Sequence, residues 1–261
     1  MLVPPLVRAA GGSVSVRDNQ WRLYWWLERK VAPGVQYAQT AFEEALFSSV
    51  DPGCQWLDFG CGHELLPSWR APQERRLASL PRRVVGLDRD RRALRRHRGI
   101  SLRVCGDGTI LPFADGQFDL VTANMVVEHL PVPQRQFREI HRVLKPGGKF
   151  VFHTPNANGY TTLPTRAVPD ALRGLGARVL ERRGGEDRFR TFYRANTKAA
   201  IGRLAQASGF SVDRVDLVRS SAMFAMIAPL AALELVLLRA LASPWLSWLR
   251  PNLIAVLTKA K

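Results

Sequence analysis

Five short apolar runs that alternate with helix-compatible segments constrain this chain most strongly. They occupy residues 55–59, 83–88, 100–105, 118–124 and 149–154. Continuous runs rich in Val, Leu and Phe are typical of strands that are buried on both faces, and strands that alternate with helices form parallel sheets. The sequence therefore predicts an α/β fold built on a mostly parallel sheet.

Further segments extend this pattern at both ends. Residues 1–18 have the composition of a loose leader, and helical spacing follows over 21–30 and 36–49 with Pro33-Gly34 as the break between them. A sixth run at 210–218 alternates apolar and polar residues, and a seventh lies at 253–257. We expect two more strands there and a helical cover at the N-terminal side.

The segment 56–64 reads WLDFGCGHE and places a glycine turn after an apolar strand that carries Asp58. Glycines at such a point let a ligand approach the backbone, and a helix is expected to follow. Glu64 stands where the dinucleotide-binding fingerprint has its third glycine, and its carboxylate would repel a pyrophosphate. The loop therefore disfavours NAD and FAD, and leaves two interpretations: a cradle for a cofactor without phosphate, or a turn that only packs.

The strand at 83–88 ends in Asp88. An acid at the end of the second strand lies where ribose hydroxyls bind in folds of this kind. The alternative is that Asp88 only caps the helix that follows.

The run from Cys105, CGDGTILPFADGQFDLVTANMVVEHL, and the run from Gln134, QRQFREIHRVLKPGGKFVFHTPN, closely resemble S-adenosylmethionine-dependent methyltransferases of the Rossmann-like class. The branch most similar modifies small molecules, quinones, lipids and sugars. The resemblance covers residues 56–156 and resumes at Asn196-Thr197 and at 207–210, ASGF. It implies a three-layer, Rossmann-like sheet of seven strands, mostly parallel with an antiparallel last strand.

The resemblance also implies a domain organisation and a set of cofactor-binding positions. The expected divisions are a leader and helical cover at 1–50, a cofactor-binding core at 51–221, an apolar helical insertion at 222–251 and the final strand at 252–261. The expected S-adenosylmethionine ligands are Asp58, Gly60, Cys61 and Gly62 at the methionine end, Asp88 at the ribose, Arg89, Asp107 and Gly108 at the adenine, and Asn124 in the pocket wall.

Methyl transfer requires the acceptor atom to be held about 3 Å from the methyl group, and a hydroxyl acceptor benefits from a nearby base. His153 ends the fifth strand and is the candidate base, although a histidine that is hydrogen-bonded within the sheet end fits the same position. His129 is interpreted as structural. Met125 occupies the position of an acid that some quinone-modifying relatives use for a metal, so no metal site is expected.

Residues 222–238 are apolar except for Glu234. This stretch is shorter than the roughly twenty residues that span a bilayer. A lid over the acceptor pocket is the leading hypothesis for the insertion. A membrane-interface helix pair, with Trp245 and Trp248 at headgroup depth, and a dimer face are the alternatives.

The net charge of +16 is weaker evidence about function than the motifs. Between residues 70 and 103 there are twelve arginines and three acidic residues. Such a positive surface either attracts RNA, anionic lipid or acidic substrates, or is only a solvated face. The three cysteines form no C-x-x-C pair, which indicates a reduced, cytoplasmic chain, with contact at the inner membrane face as an alternative.

The expected function is S-adenosylmethionine-dependent methylation of a small-molecule or lipid- or glycan-linked acceptor, at oxygen. Nucleic acid is disfavoured, because the N-P-P-Y or D-P-P-Y run of many amine methyltransferases is replaced here by Asn124-Met125-Val126-Val127. An RNA methyltransferase recruited by the basic surface, and a cofactor-binding module without turnover, stay open as alternatives.

Overall fold

The computed structural model describes residues 16–167, 189–220, 222–225 and 227–260. Most of the expected leader lies outside these ranges. The strands are β1 Gln55–Phe59, β2 Arg83–Asp88, β3 Leu102–Cys105, β4 Phe118–Asn124, β5 Leu144–Pro155, β6 Phe210–Val218 and β7 Asn252–Lys259. The helices of the described ranges are α1 Val16–Val31, α2 Ala38–Phe47, α3 Ala71–Ala78, α4 Arg91–Arg96, α5 Pro133–Val143, α6 Thr162–Ala167, α7 Lys198–Ala207 and α8 Ala228–Ala240, with short 3₁₀ segments at Ser68–Arg70, Val127–His129 and Pro244–Leu249.

The strands form one sheet in the order β3-β2-β1-β4-β5-β7-β6. β1 to β5 pair in parallel, whereas β7 runs antiparallel between β5 and β6. The prediction of a mostly parallel sheet of seven strands with a reversed last strand is confirmed.

The sheet is covered on both faces, as its apolar runs predict. Phe150 and Phe152 of β5 pack in one cluster with Phe137 and Ile140 of α5. Val151, between the two phenylalanines, packs in a second cluster on the other face, with α2 and α3. Because successive side chains of a strand point to opposite faces, a strand without polar alternation is buried on both sides.

The fifth strand begins earlier than the sequence predicts, at Leu144 instead of residue 149. Leu144 pairs with Phe118 of β4, and the register then shifts before Leu120 pairs with Lys149. Gly147 has φ +79° at this irregularity. The Pro146-Gly147-Gly148 turn is thus built into the start of the strand as a bulge, which takes up extra residues without ending the pairing.

A third apolar cluster lies outside the sheet layers. It joins Tyr24 of α1 to Ala231, Leu235 and Leu238 of α8. We call residues 19–32 and 222–250, as far as they are described, the helical appendage. The apolar insertion therefore packs against the N-terminal helix, so that the two segments outside the cofactor-binding core form one unit.

The carboxylate of Glu234 lies inside this unit and is 6% exposed. It accepts hydrogen bonds from the Tyr160 hydroxyl at 2.6 Å and from the backbone N–H groups of Met223 and Phe224 at 2.8 and 2.9 Å. A buried carboxylate with three donors is structurally satisfied. No helix within the described ranges is long and apolar enough to cross a membrane.

Candidate active site at the carboxyl ends of the strands

The carboxylate of Asp88 links the end of β2 to the loop after β1 by a hydrogen bond. It accepts the N–H of Gly62 at 2.8 Å and the N–H of Asp90 at 2.8 Å. Asp88 is 8% exposed. Asp88, at the end of β2, thus fixes the glycine loop that follows β1. The remaining lone pairs of its carboxylate can accept hydrogen bonds from a ligand.

The glycines of the loop have backbone conformations that favour glycine, with φ +75° at Gly60 and +55° at Gly62. A Cβ atom at Gly60 would lie 2.4 Å from a methyl carbon of Val126, whereas one at Gly62 would meet nothing within 4 Å. Gly60 is therefore required for packing against the segment after β4. The loop is open at Gly62, where a ligand can approach the backbone.

The N–H groups of this loop are already used within the protein. Gly60 and Cys61 both donate to the carbonyl of Leu87, at 2.7 and 3.1 Å, and Gly62 donates to Asp88. A phosphate cradle needs such N–H groups to be free to face the anion. The arrangement therefore fits a cofactor without phosphate, in agreement with the expectation drawn from Glu64.

Cys61 itself turns away from this open side. Its side chain is buried, and a Cβ atom at Gly86 of β2 would lie 2.7 Å from its sulfur. Burial raises the pKa of the thiol. Cys61 thus contributes its backbone to the loop and its side chain to the packing of β2.

No helix follows the loop directly, in contrast to the sequence expectation. Gly62 is followed by turns, then by the 3₁₀ segment Ser68–Arg70, and α3 starts only at Ala71. Pro67 disfavours helical backbone at the residue before it. Arg70 is also buried, and its guanidinium forms an ion pair with Glu43 of α2. This pair fixes the start of α3 at a distance from the loop.

Asp58 lies in β1, buried between the strands and 6% exposed. The Thr122 hydroxyl donates to it at 2.8 Å, and Trp56 Nε1 donates to the same hydroxyl oxygen at 2.7 Å. Because the indole is only a donor, the Thr122 hydrogen is directed to Asp58. Burial raises the pKa of Asp58 to about 7, and the hydrogen bond from Thr122 acts in the opposite direction.

The expected adenine side carries exposed polar groups. Asp107 accepts the N–H and the hydroxyl of Thr109, at 2.9 and 2.7 Å, and these hydrogen bonds hold its pKa below the usual value. Gly108 has φ +75°, and a Cβ atom there would lie 2.4 Å from the Phe59 ring. The loop after β3 is therefore held against the end of β1.

The segment after residue 188 approaches this side. The guanidinium of Arg89 lies 4.5 Å from the centroid of the Phe189 ring, and that ring is 6.0 Å from the ring of His129. Residues 188–194 alternate arginines with aromatic residues, a pattern that suits either the mouth of an acceptor pocket or a solvated face with packed rings. Phe189 contacts the expected adenine-binding residue instead, and Arg188 lies outside the described residues.

His153 and Asn124 meet across β4 and β5. Nδ1 of His153 is 2.8 Å from Asn124 Oδ1, and Nε2 is 3.2 Å from Asn252 Oδ1. Burial lowers the pKa of His153 to about 4. A neutral imidazole has one N–H, so one of the two amides must present its NH₂ group to the ring. His153 is therefore neutral at physiological pH, with both ring nitrogens engaged.

A buried polar chain supports the neighbouring loop. Asn196 donates to Thr154 at 2.7 Å, Thr154 donates to Glu128 at 2.8 Å, and the carbonyl of Glu128 accepts the N–H of Phe192 at 2.7 Å. Burial raises the pKa of Glu128. Met125, just before this segment, has φ +56°, which is uncommon for a side chain of its size. These linked hydrogen bonds fix the backbone next to the carboxyl ends of β4 and β5.

The hydrogen bonds of Thr122 and Trp56 and the buried polar chain through Asn196 were not predicted from the sequence. Asp58 and Thr122 lie 64 residues apart, as neighbours on adjacent strands. Their pairing depends on sheet order, which no local pattern reveals. Among the described residues, no three His, Cys, Asp or Glu side chains are placed together to hold a metal ion.

The sheet order, the single reversed strand and the acid of β2 bonded to a glycine loop define the class of fold, which is the Rossmann-like methyltransferase fold. Residues 57–152 match the family model described as a methyltransferase domain.

Individual comparisons agree with this class. Over 78 residues the chain is 37% identical to a demethylmenaquinone methyltransferase of Renibacterium salmoninarum, which is 29% of this chain and 33% of that protein. A protein of the same name from Corynebacterium kroppenstedtii is 39% identical over 94 residues, or 34% of this chain and 41% of that protein. The chain thus spans less than half the length of these curated relatives.

The solved S-adenosylmethionine-dependent methyltransferase of Mesorhizobium loti superposes with a TM-score of 0.55 at 20% identity, over 85% of this chain and 98% of that one. At this identity the likeness shows the fold. The helical appendage lies wholly outside the family match, which covers residues 57–152.

Proposed function

We propose that this chain binds S-adenosylmethionine at the ends of β1 to β4 and transfers its methyl group to a small-molecule acceptor of the quinone or hydroquinone class. The observation that carries the proposal is the position of Asp88. Its carboxylate is buried, bonded to the open Gly62 loop, and placed where an α/β sheet binds ribose.

The proposed ligands divide the cofactor among three carboxylates. Asp88 would accept the ribose hydroxyls, Asp107 with Arg89 and Gly108 would hold the adenine, and Asp58 would balance the charge of the ammonium at the methionine end. An ammonium near Asp58 favours its ionised form, which burial alone disfavours. Bound S-adenosylmethionine supplies an electrophilic methyl group on a sulfonium.

The acceptor class follows from the relatives that are named demethylmenaquinone methyltransferases. We propose a hydroxyl oxygen of a reduced ring as the atom that receives the methyl group. Asn124 and His153 at the ends of β4 and β5 supply the polar side chains that orient a hydroxyl. Orientation is the main contribution that a protein makes to an in-line methyl transfer.

The candidate base His153 stays a prediction. Its pKa near 4 and its two asparagine partners favour a positioning role, in which the ring fixes the amide of Asn124. His153→Gln distinguishes the two roles. Loss of a base lowers kcat by about 10²–10⁴-fold, whereas loss of positioning raises KM for the acceptor and leaves the pH profile above pH 6 unchanged.

Calorimetric titration with S-adenosylmethionine tests the cofactor site. We expect Asp88→Ala to weaken binding by about 10²–10³-fold, because two hydrogen bonds to a charged group are lost. Asp216→Ala, an exposed carboxylate on β6, is the matched control and should bind as the unmodified chain does. Equal affinity of the Asp88 and Asp216 variants would remove Asp88 from the site.

Turnover is tested with a short-chain demethylated naphthohydroquinone and analysis of the product mass. A product with a methyl group on oxygen cannot be re-oxidised to the quinone, whereas one with a methyl group on carbon can. The second outcome would overturn the proposal for oxygen and retain the acceptor class. Cofactor binding without any methylated product, or methylation of RNA in preference to the hydroquinone, would replace the proposed function with one of its alternatives.

A further inference from the structure

The outer face of α8 carries apolar side chains where a surface helix is normally polar. Leu230, Leu233 and Val236 follow at intervals of three residues and are between 43% and 68% exposed. The buried residues of the same helix, such as Leu235, point to the other side and pack on α1. Apart from the buried Glu234 and the exposed Arg239, the helix carries apolar residues on every side, and its outer side lacks an apolar partner in the described structure.

Exposed tryptophans follow the helix in the chain and also occur on α1. In the 3₁₀ segment Pro244–Leu249, Trp245 is 88% exposed and Trp248 is 51% exposed. Trp26 of α1 is also 51% exposed. An exposed indole is costly in water and is favoured at the boundary between headgroups and acyl chains, where its ring is apolar and its N–H is hydrated.

The acidic and the basic side chains of the helical appendage differ in their hydrogen bonds and in their exposure. The two carboxylates of the appendage are both hydrogen-bonded. The partly buried Glu28 accepts the Tyr37 hydroxyl at 2.8 and 2.9 Å, and the buried Glu234 accepts Tyr160 and two backbone N–H groups. Four of the five cations are exposed, namely Arg22, Arg29, Lys30 and Arg239, whereas Arg250 is partly buried.

The cations of α1 surround an aromatic side chain. Arg22 precedes Trp26 by four residues, and Arg29 and Lys30 follow it by three and four, so all three lie on the same face of the helix. Arg22, Trp26 and Arg29 contribute to a shallow open groove of about 590 Å³ on this helix. Guanidinium groups beside an indole suit a phosphate headgroup at the level of the interface.

We propose that the helical appendage binds the surface of an anionic lipid bilayer, with the outer face of α8 and Trp245 at the acyl boundary. The charge distribution selects this occupant. A second copy of the chain would bring the same exposed cations together, with both appendage carboxylates already hydrogen-bonded to tyrosine hydroxyls. An anionic bilayer accepts the apolar face of α8, and its surface attracts the exposed cations of the appendage. The proposal goes beyond the methyltransferase function and does not rest on it.

Flotation of the full chain with lipid vesicles, without cofactor or acceptor, tests the proposal. We expect the chain to float with vesicles of phosphatidylcholine and phosphatidylglycerol, to bind pure phosphatidylcholine more weakly, and to be released by salt. Leu233→Glu with Val236→Glu should lower the partition coefficient by about tenfold or more, because two charges enter the apolar boundary. Arg22→Gln with Arg29→Gln should reduce the preference for anionic vesicles.

The matched control is Val212→Glu, which places the same charge on an exposed apolar position of β6. It should float as the unmodified chain does. The proposal is overturned by absence of binding to anionic vesicles, or by equal losses in the control and the α8 variant. It is also overturned if the α8 variant lowers Tm, which would show that another part of the chain covers this face. A dimer in sedimentation that the same variant dissociates would identify a second copy as the occupant.

Discussion

Asp58 and Glu234 are buried to the same extent, each 6% exposed, yet their surroundings differ. Glu234 accepts three hydrogen bonds, whereas Asp58 at the proposed cofactor edge accepts one side-chain hydrogen bond, from Thr122. A buried carboxylate with few donors has an elevated pKa, as Asp58 has at about 7. At equal burial, the number of donors therefore distinguishes a carboxylate that is satisfied within the fold from one that can accept further hydrogen bonds.

The largest effect on stability is expected at Glu234, and this variant tests the comparison of the two carboxylates most directly. Glu234→Ala leaves the Tyr160 hydroxyl and two backbone N–H groups buried without an acceptor. We expect a loss of about 3–5 kcal/mol in the free energy of unfolding, measured by urea denaturation.

Glu234→Gln retains one acceptor oxygen and should be less destabilising than the alanine variant. Affinity for S-adenosylmethionine should be the same in every variant that is still folded, because the appendage lies outside the proposed cofactor edge. An alanine variant as stable as the unmodified chain would show that Glu234 is dispensable to the fold.

An intermediate effect of opposite sign is expected at Asp58. The folded-state pKa of about 7 lies above the usual value of 3.8, so the folded chain holds a proton that the unfolded chain has lost between these pH values. This contribution therefore lowers stability as pH rises from about 4 to about 7, and levels off above that.

Asp58→Asn removes this penalty. Without cofactor, we expect the variant to exceed the unmodified chain by about 2–4 kcal/mol at pH 8 and to match it at pH 4. It should bind S-adenosylmethionine more weakly, since the ammonium loses a charged partner. If urea denaturation gave the same difference at both pH values, Asp58 would not titrate in this range.

The smallest effect is expected at Thr122, which supplies the hydrogen bond to Asp58. Thr122→Val keeps the shape of the side chain but removes the hydroxyl, which also leaves the buried N–H of Trp56 without its acceptor, at a cost of about 1–3 kcal/mol at pH 8. The pH dependence assigned to Asp58 should extend to higher pH, because that hydrogen bond lowers its pKa. Thr258→Val removes a hydroxyl that bonds the exposed Asp213, and should change neither quantity appreciably.

Much of the sheet was predictable because its signals are local. The runs at Phe118–Asn124 and Phe210–Val218 have the predicted limits, since strand length follows from a stretch of apolar residues between turn residues. Phe137 and Ile140 of α5 are both buried, and their spacing of three residues, which puts them on one face of a helix, is a signal of the same local kind. The start of β5 was missed because a bulge at Gly147 extends pairing through residues that favour a turn.

The candidate site was predictable as a set of positions but not as a set of contacts. Asp88 and Gly62 were both expected near the cofactor, and the structure adds that the N–H of Gly62 donates to the Asp88 carboxylate. The partners of His153 come from β4 and from β7, 29 and 99 residues away. Such distances in sequence carry no pattern from which a pair can be recognised.

The sequence by itself determined the α/β class, the glycine loop, the acids at the strand ends and the resemblance to methyltransferases, because these depend on residues close together in the chain. The tertiary structure decided which carboxylates are satisfied. It also decided that the insertion packs on α1 with its outer face exposed. A residue's burial, its pKa and the direction of a helix face depend on what other elements place against it, and those elements are brought together only when the chain is folded.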